Sequence, residues 1–407
     1  MWRMIGPALL FSGAAIGTSH LVQSTRAGAL YGVALVVVIV LSFVLKYPAF
    51  RFGVDYGHAA RKSLVAGYRE LGIWAPVLFA LAAIPVVPVI YAALATGTAG
   101  IASAVFGLSL PVPLIGIGVF AGVAVLLMIG GYDWLDPINR ALLLFLIVST
   151  LITTAIVLPR VEWGTFFDTG WVFDPAAILF VVALAGFMPN PLDVSVSQSM
   201  WTAEAEDRLE AGKESSLKET RGAFITGYGM TAVLAVCFCV MGAGVMHSDG
   251  VTPEASAPGF AAQIIGLYSA ALGEWAAILA AVAALSVMLT TLLVALDIGG
   301  RHVASVWQEV GGERSHEAFD RTYRIAIPVL VALTGAVLFL FTADFTVMLD
   351  FAVSASFVGA PIIATLNHLV VTRCEMPEDA RPSLAIRALN VIGIAIMTGL
   401  AAAFFLL

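Results

Sequence analysis

The sequence predicts an all-α polytopic membrane protein of eleven spanning helices whose first and sixth spans are interrupted. Of 407 residues, 60% are hydrophobic and only 12% are charged, about half the charged share of an average soluble domain. Mean hydropathy is +0.98. Apolar runs of about 20 residues, the length that crosses the hydrocarbon, recur along the whole chain. Two of those runs carry glycine, proline and polar side chains at bilayer depth.

In order, the spans fall at residues 4–31, 32–53, 73–104, 111–130, 138–158, 176–203, 222–246, 273–298, 324–342, 345–372 and 386–407. The first is too long and too lightly flanked by basic residues for a cleaved signal peptide, and reads as a retained helix. With the N-terminus in the cytoplasm, all but Arg26 and Arg160 of the 20 basic residues lie at the cytoplasmic side, the asymmetry of the positive-inside rule. Eleven crossings put Leu407 outside, in a multi-pass protein of the plasma (inner) membrane. A net charge of −7 is compatible, since Asp and Glu count little in orientation.

Between spans, residues 202–221 (TAEAEDRLEAGKESSLKETR) read as a cytoplasmic helix or hinge joining two halves, and residues 247–274 as an outer loop with a short helix around 261–268. Three cysteines make no disulfide framework, and Cys237 and Cys239 point to different helix faces. There is no Gly-x-x-x-x-Gly-Lys, no Gly-x-Gly-x-x-Gly after a strand and no His-Glu-x-x-His. ATP-driven transport and enzymatic chemistry are therefore not expected. The partners are the bilayer and a small ion or solute, with no nucleic acid, no obligate protein partner and no cofactor beyond a transported metal ion.

The first interruption is at residues 13–24 (GAAIGTSHLVQS), which place Gly17, Thr18, Ser19, His20 and Gln23 in mid-span. Polar groups at that depth are expensive and usually functional. The second is at residues 183–198, where Gly186, Pro189 and Pro191 accompany Met188, Asn190 and Asp193. Each proline removes a backbone donor and clashes with the preceding turn, so the helix must stop. Two such interruptions five helices apart point to a transporter site at the membrane midplane. They imply two five-helix inverted repeats, residues 1–160 and 161–372, and an additional helix in 373–407. Carbonyls released by the breaks favour a cation and freed amides favour an anion or carboxylate, so geometry alone does not choose the cargo.

Gly6-Pro7, residues 27–32 (AGALYG), residues 46–53 (KYPAFRFG) and Met188-Pro189 together resemble the NRAMP family. The resemblance implies divalent-metal transport on the LeuT-type inverted-repeat fold. It also locates departures. Metal-transporting members carry Asp-Pro-Gly-Asn at the first break; Gly17 stands at the Asp position and His20 at the Asn position. Asn190 replaces the His that follows Met-Pro in the family. The acidic pair used for proton movement on the third helix is missing, since residues 79–106 contain no Asp or Glu.

Three functions fit these residues. A metal ion is held by His20, Met188 and Asp193 with carbonyls beside the breaks; or a small polar organic solute, an amine or amino acid, is bound by Thr18, Ser19, Gln23 and Asn190; or the chain is a non-transporting scaffold. Arg26, about two turns beyond the break, either faces the outer vestibule or snorkels to the interface. Asp350, Ser354 and Ser356 on the tenth span, and Thr290 and Thr291 on the eighth, are further candidates for the cavity wall. Lys46, Asp297 and His368 read as structural or gate-forming groups near cytoplasmic helix ends.

Overall fold

The computed structural model describes residues 4–129, 136–209, 215–341 and 344–407. Arg3 and Lys213, which enter the orientation argument, and residues 210–214 of the charged connector lie outside these, as do the side chains of residues 136–140. Among the described residues all regular structure is helical, and ten helices are long and apolar enough to cross a membrane. Their outward faces carry large apolar side chains such as Leu81, Ile129, Ile278 and Leu384, each at least 68% exposed. On a soluble protein such a surface would aggregate; here it is the face that meets lipid.

The chain begins with α1 (Ile5–Ala15), a π-wound stretch (Ile16–Ser24) and α2 (Thr25–Tyr31), which together make one span. Next come α3 (Val36–Ala60), the short α4 (Leu64–Leu71) and a span formed by α5 (Trp74–Ala83) and α6 (Val87–Phe106). A 3₁₀ turn at Ile84–Val86 joins the last two, where Pro85 and Pro88 interrupt the ladder. Helices α7 (Val112–Ile129) and α8 (Asp136–Val157) follow.

The predicted sixth span is two shorter helices, α9 (Pro175–Phe187) and α10 (Val194–Asp207). Asp174 caps α9 by accepting from the Ala176 amide, with Pro175 pre-set at the first helical position. The charged stretch at 202–221 is the end of α10 and the start of α11 (Leu217–Met241), whose Ser216–Glu219 capping box fixes its beginning. The outer-loop helix is longer than expected: α12 (Ala257–Leu272) packs Phe260, Ile264 and Leu267 inward. Helix α13 (Glu274–Gly311) also outruns its predicted span: it contains no proline, runs through Gly299 and Gly300, and stops at Gly312 with φ +83°. Helices α14 (His316–Leu340), α15 (Phe345–Arg373) and α16 (Leu384–Leu406) complete the chain.

The two faces of α10 explain how the interrupted span is held. Glycines 53 and 57 of α3 lie so close that a side-chain carbon at either would strike the carbonyls of Ser195 and Ser199. Small residues four apart are what let two membrane helices touch backbone to backbone. Asn367 of α15 then ties the contact together. It donates to the Ala49 carbonyl at 3.1 Å and to Ser195 Oγ at 2.8 Å, and accepts from Tyr68 Oη at 2.5 Å. Replacing Asn367 by Leu orphans the buried Tyr68 hydroxyl and should lower stability by roughly 1–3 kcal/mol. A thermal midpoint in detergent measures this, and an unchanged midpoint would show the hub to be dispensable.

Candidate functional site

The α9 ladder ends because its next donors are missing. The last bond is Met188 N–H to Leu184 O at 3.2 Å; Pro189, joined to Met188 by a cis peptide bond, has no N–H to offer Ala185 O. The chain re-enters a helix when Val194, Ser195 and Val196 donate to Pro191, Leu192 and Asp193 carbonyls. On the first span, Gly17 takes φ −63°, ψ −124°, outside helical geometry. Its hydrogen faces Thr291, and a Cβ there would come within 2.6 Å of the threonine hydroxyl. Thr291 in turn donates to the Gly13 carbonyl at 2.7 Å, so α13 holds the first span at its distortion.

Between these irregular stretches lies a cavity of about 50 Å³. Its polar wall comprises Thr18, Ser19, Tyr91, Asn190, Asp193 and Thr291, and Phe187, Ile90 and Ile298 are among its apolar residues. Ser19 Oγ reaches across to the Pro189 carbonyl at 3.4 Å, and Asn190 donates to the Phe11 carbonyl at 3.2 Å, so the two stretches brace each other directly. Asp193 supplies the carboxylate of the wall. It stands 3.6 Å from Nδ1 of His302, whose Nε2 is 2.9 Å from Ser197 Oγ. The donor set facing the cavity is thus hydroxyl, amide and carboxylate oxygen, which suits a hard cation or hydrogen-bonding solute.

Of the residues singled out by sequence, Thr18, Ser19, Asn190 and Asp193 meet at this wall, with Gly17 beside it. The others lie elsewhere. His20 is fully buried, with Nδ1 2.7 Å from the Ala15 carbonyl and Nε2 2.9 Å from the Thr231 carbonyl of α11. Met188 is also buried, its sulfur 3.8 Å from Ser24 Oγ. Neither lines the cavity. Among the described residues no three of His, Cys, Asp and Glu converge in an arrangement that holds a metal.

Gln23 belongs to a separate cluster. Arg26 grips Asp350 of α15 with two bonds, 2.6 and 2.8 Å, while Gln23 accepts from Arg26 at 3.0 Å and donates to Asp350 at 2.8 Å. Arg26 does not snorkel to the interface: it is 7% exposed, its guanidinium also lying 5.1 Å from the Phe180 ring. Pairing with a carboxylate removes the reason to reach the interface. Asp350 therefore serves the ion pair, while Thr291 alone of the additional candidates stands in the wall.

One contributor, Tyr91, escaped the sequence reading, and the role of another, Lys46, is sharpened. Tyr91 on α6 faces the cavity and hydrogen-bonds the Ala295 carbonyl; an aromatic in an apolar run carries no signal of its own. Lys46, read as a residue near a helix end, instead reaches the α9 terminus.

The profile of the family described as "Natural resistance-associated macrophage protein-like" matches residues 8–407. "Uncharacterized protein PM0681" of Pasteurella multocida (strain Pm70) is 32% identical over 380 residues, 91% of this chain and 85% of that protein. Among solved structures, the Eremococcus coleocola manganese transporter bound to an aromatic bis-isothiourea substituted compound superposes with a TM-score of 0.71 at 15% identity, over 98% of this chain and 85% of that one. MhsT in complex with L-phenylalanine superposes with a TM-score of 0.63 at 16% identity, over 99% and 98% of the two chains. At such identities the structures speak for the shared fold alone.

The Arg26–Asp350 pair makes access to the cavity testable without knowing the cargo. In a Thr18→Cys background, Asp350→Ala should speed labelling by a membrane-impermeant thiol reagent by about tenfold, the effect of 1.4 kcal/mol on an opening equilibrium. An unchanged labelling rate would mean that the pair does not limit access.

Proposed function

Because the chain belongs to the Nramp family of membrane transporters, we propose that it is a secondary transporter moving a metal cation by alternating access. The observation that carries this reading is the 50 Å³ cavity with its one carboxylate, set between Gly17 and the α9–α10 interruption. Hydroxyl, amide and carboxylate oxygens around one cavity are the ligands a hard cation takes. Asp193 supplies the charge, and Thr18, Ser19 and Asn190 supply dipoles. His20, Met188 and Gln23 act around the site, His20 and Met188 by anchoring the interrupted backbone and Gln23 through the Arg26–Asp350 pair.

The repeats run from 1 to 160 and from 161 to 372, with 373–407 as an appended helix, and the N-terminus faces the cytoplasm of the inner membrane. In this arrangement the bundle containing Gly17 and Pro189 rocks against the scaffold of α6, α7, α13 and α14. The Arg26–Asp350 pair closes the outer side. Toward the opposite side, Arg301 joins Asp297 of its own helix, at 2.7 Å, to Glu204 of α10. Proton coupling by an acidic pair on the third span is absent, since no Asp or Glu lies between residues 79 and 106.

Purified protein in liposomes should take up a divalent metal such as Mn²⁺ or Mg²⁺. Asp193→Asn should cut that uptake by at least about tenfold, which corresponds to 1.4 kcal/mol. Saturable uptake of an amine or amino acid with no metal flux would overturn the metal reading in favour of an organic cargo.

A further inference from the structure

The α9 terminus leaves carbonyls without their helical donors. In a helix the last four carbonyls lack partners, and Pro189 removes the donor that Ala185 O would have met. Buried inside a bilayer, such carbonyls are costly if left unpaired. Their lone pairs, together with the negative end of the helix dipole, form an environment suited to a cation.

Lys46 of α3 fills that position. Its Nζ donates to Ala185 O at 2.6 Å and to Gly186 O at 2.8 Å, and lies 5.5 Å from the Phe357 ring centre. The side chain is 1% exposed. An ammonium has three donors and no acceptor, and here two are spent on carbonyls and the remaining side faces an aromatic surface. A charge inside an apolar span costs a few kcal/mol even on permissive scales. A neutral donor would satisfy the same carbonyls more cheaply, so the charge itself needs a reason.

We propose that the Lys46 ammonium is a tethered cation. It holds, at the carbonyl end of the interruption, the place that a monovalent ion from solution would otherwise take, so the interrupted span needs no such ion to keep its shape. This inference does not depend on the metal reading above, and its test uses no cargo.

The test is the thermal midpoint of detergent-purified protein, titrated with Na⁺, K⁺ or ethylammonium against N-methyl-D-glucamine at constant ionic strength. Wild type and Lys46→Arg should show no response. Lys46→Ala should start lower and gain several degrees with saturable dependence on at least one small cation, as expected when an ion binds only the folded state. Lys46→Ser serves as a second variant where the alanine protein does not fold. A wild-type midpoint rising as steeply as the variant's would overturn the proposal. So would variants that fold but ignore every cation, or that fail to fold in all of them, since a small cation then cannot replace the side chain. Failure of metal uptake with a positive cation titration would sink the cargo assignment and leave the tethered cation standing.

Discussion

Within a bilayer there is no water to satisfy a backbone group, so a helix that stops halfway must find its partners inside the protein. Between Phe187 and Val194 the chain does stop, and much of the surrounding structure follows from that. Lys46 takes the orphaned carbonyls of α9, Ser19 of the first span reaches the Pro189 carbonyl and Asn190 the Phe11 carbonyl, and Asn367 with its glycine-lined contact secures α10. The partners come from the first span, α3 and α15. The interruption is therefore the point at which several helices are tied to one another, and any cargo that displaces these contacts acts on all of them.

Charge is distributed with the same economy. Asp193 stands in the cavity wall, and Lys46 lies at the carbonyl end of the break. Farther out, Arg26 and Asp350 join the first span to α15, while Arg221 grips the fully buried Asp55 at 2.7 and 3.0 Å and joins α11 to α3 on the opposite face. Removing Arg221 would leave the fully buried Asp55 carboxylate without that partner, which costs more than the pair contributes. Polar pairs thus tie the first span to α15 and α11 to α3.

Much of the architecture was legible because hydropathy and proline chemistry are local. Pro189 and Pro191 end a helix wherever they stand, and the ends of α9 and α10 fall around them. The failures share a different cause. His20 sits beside Thr18 and Ser19 in sequence, yet the π-wound stretch turns its ring toward the Thr231 carbonyl of α11. Side-chain direction there depends on a backbone distortion that spacing does not encode. Lys46 was placed by its distance from the end of a span, whereas its length lets the ammonium reach the α9 terminus. Arg26 likewise found a carboxylate more than 300 positions away, at Asp350. Contacts between distant residues are invisible to local pattern, however clear the pattern is.

The account places its cargo between Gly17 and the α9–α10 interruption, on the oxygen of Asp193. Anomalous diffraction from crystals soaked in Mn²⁺ tests this most directly. The account predicts an anomalous peak about 2–2.6 Å from the Asp193 carboxylate, the range of hard-cation–oxygen bonds. A peak confined to other residues, or density for an organic molecule in the cavity, would contradict it.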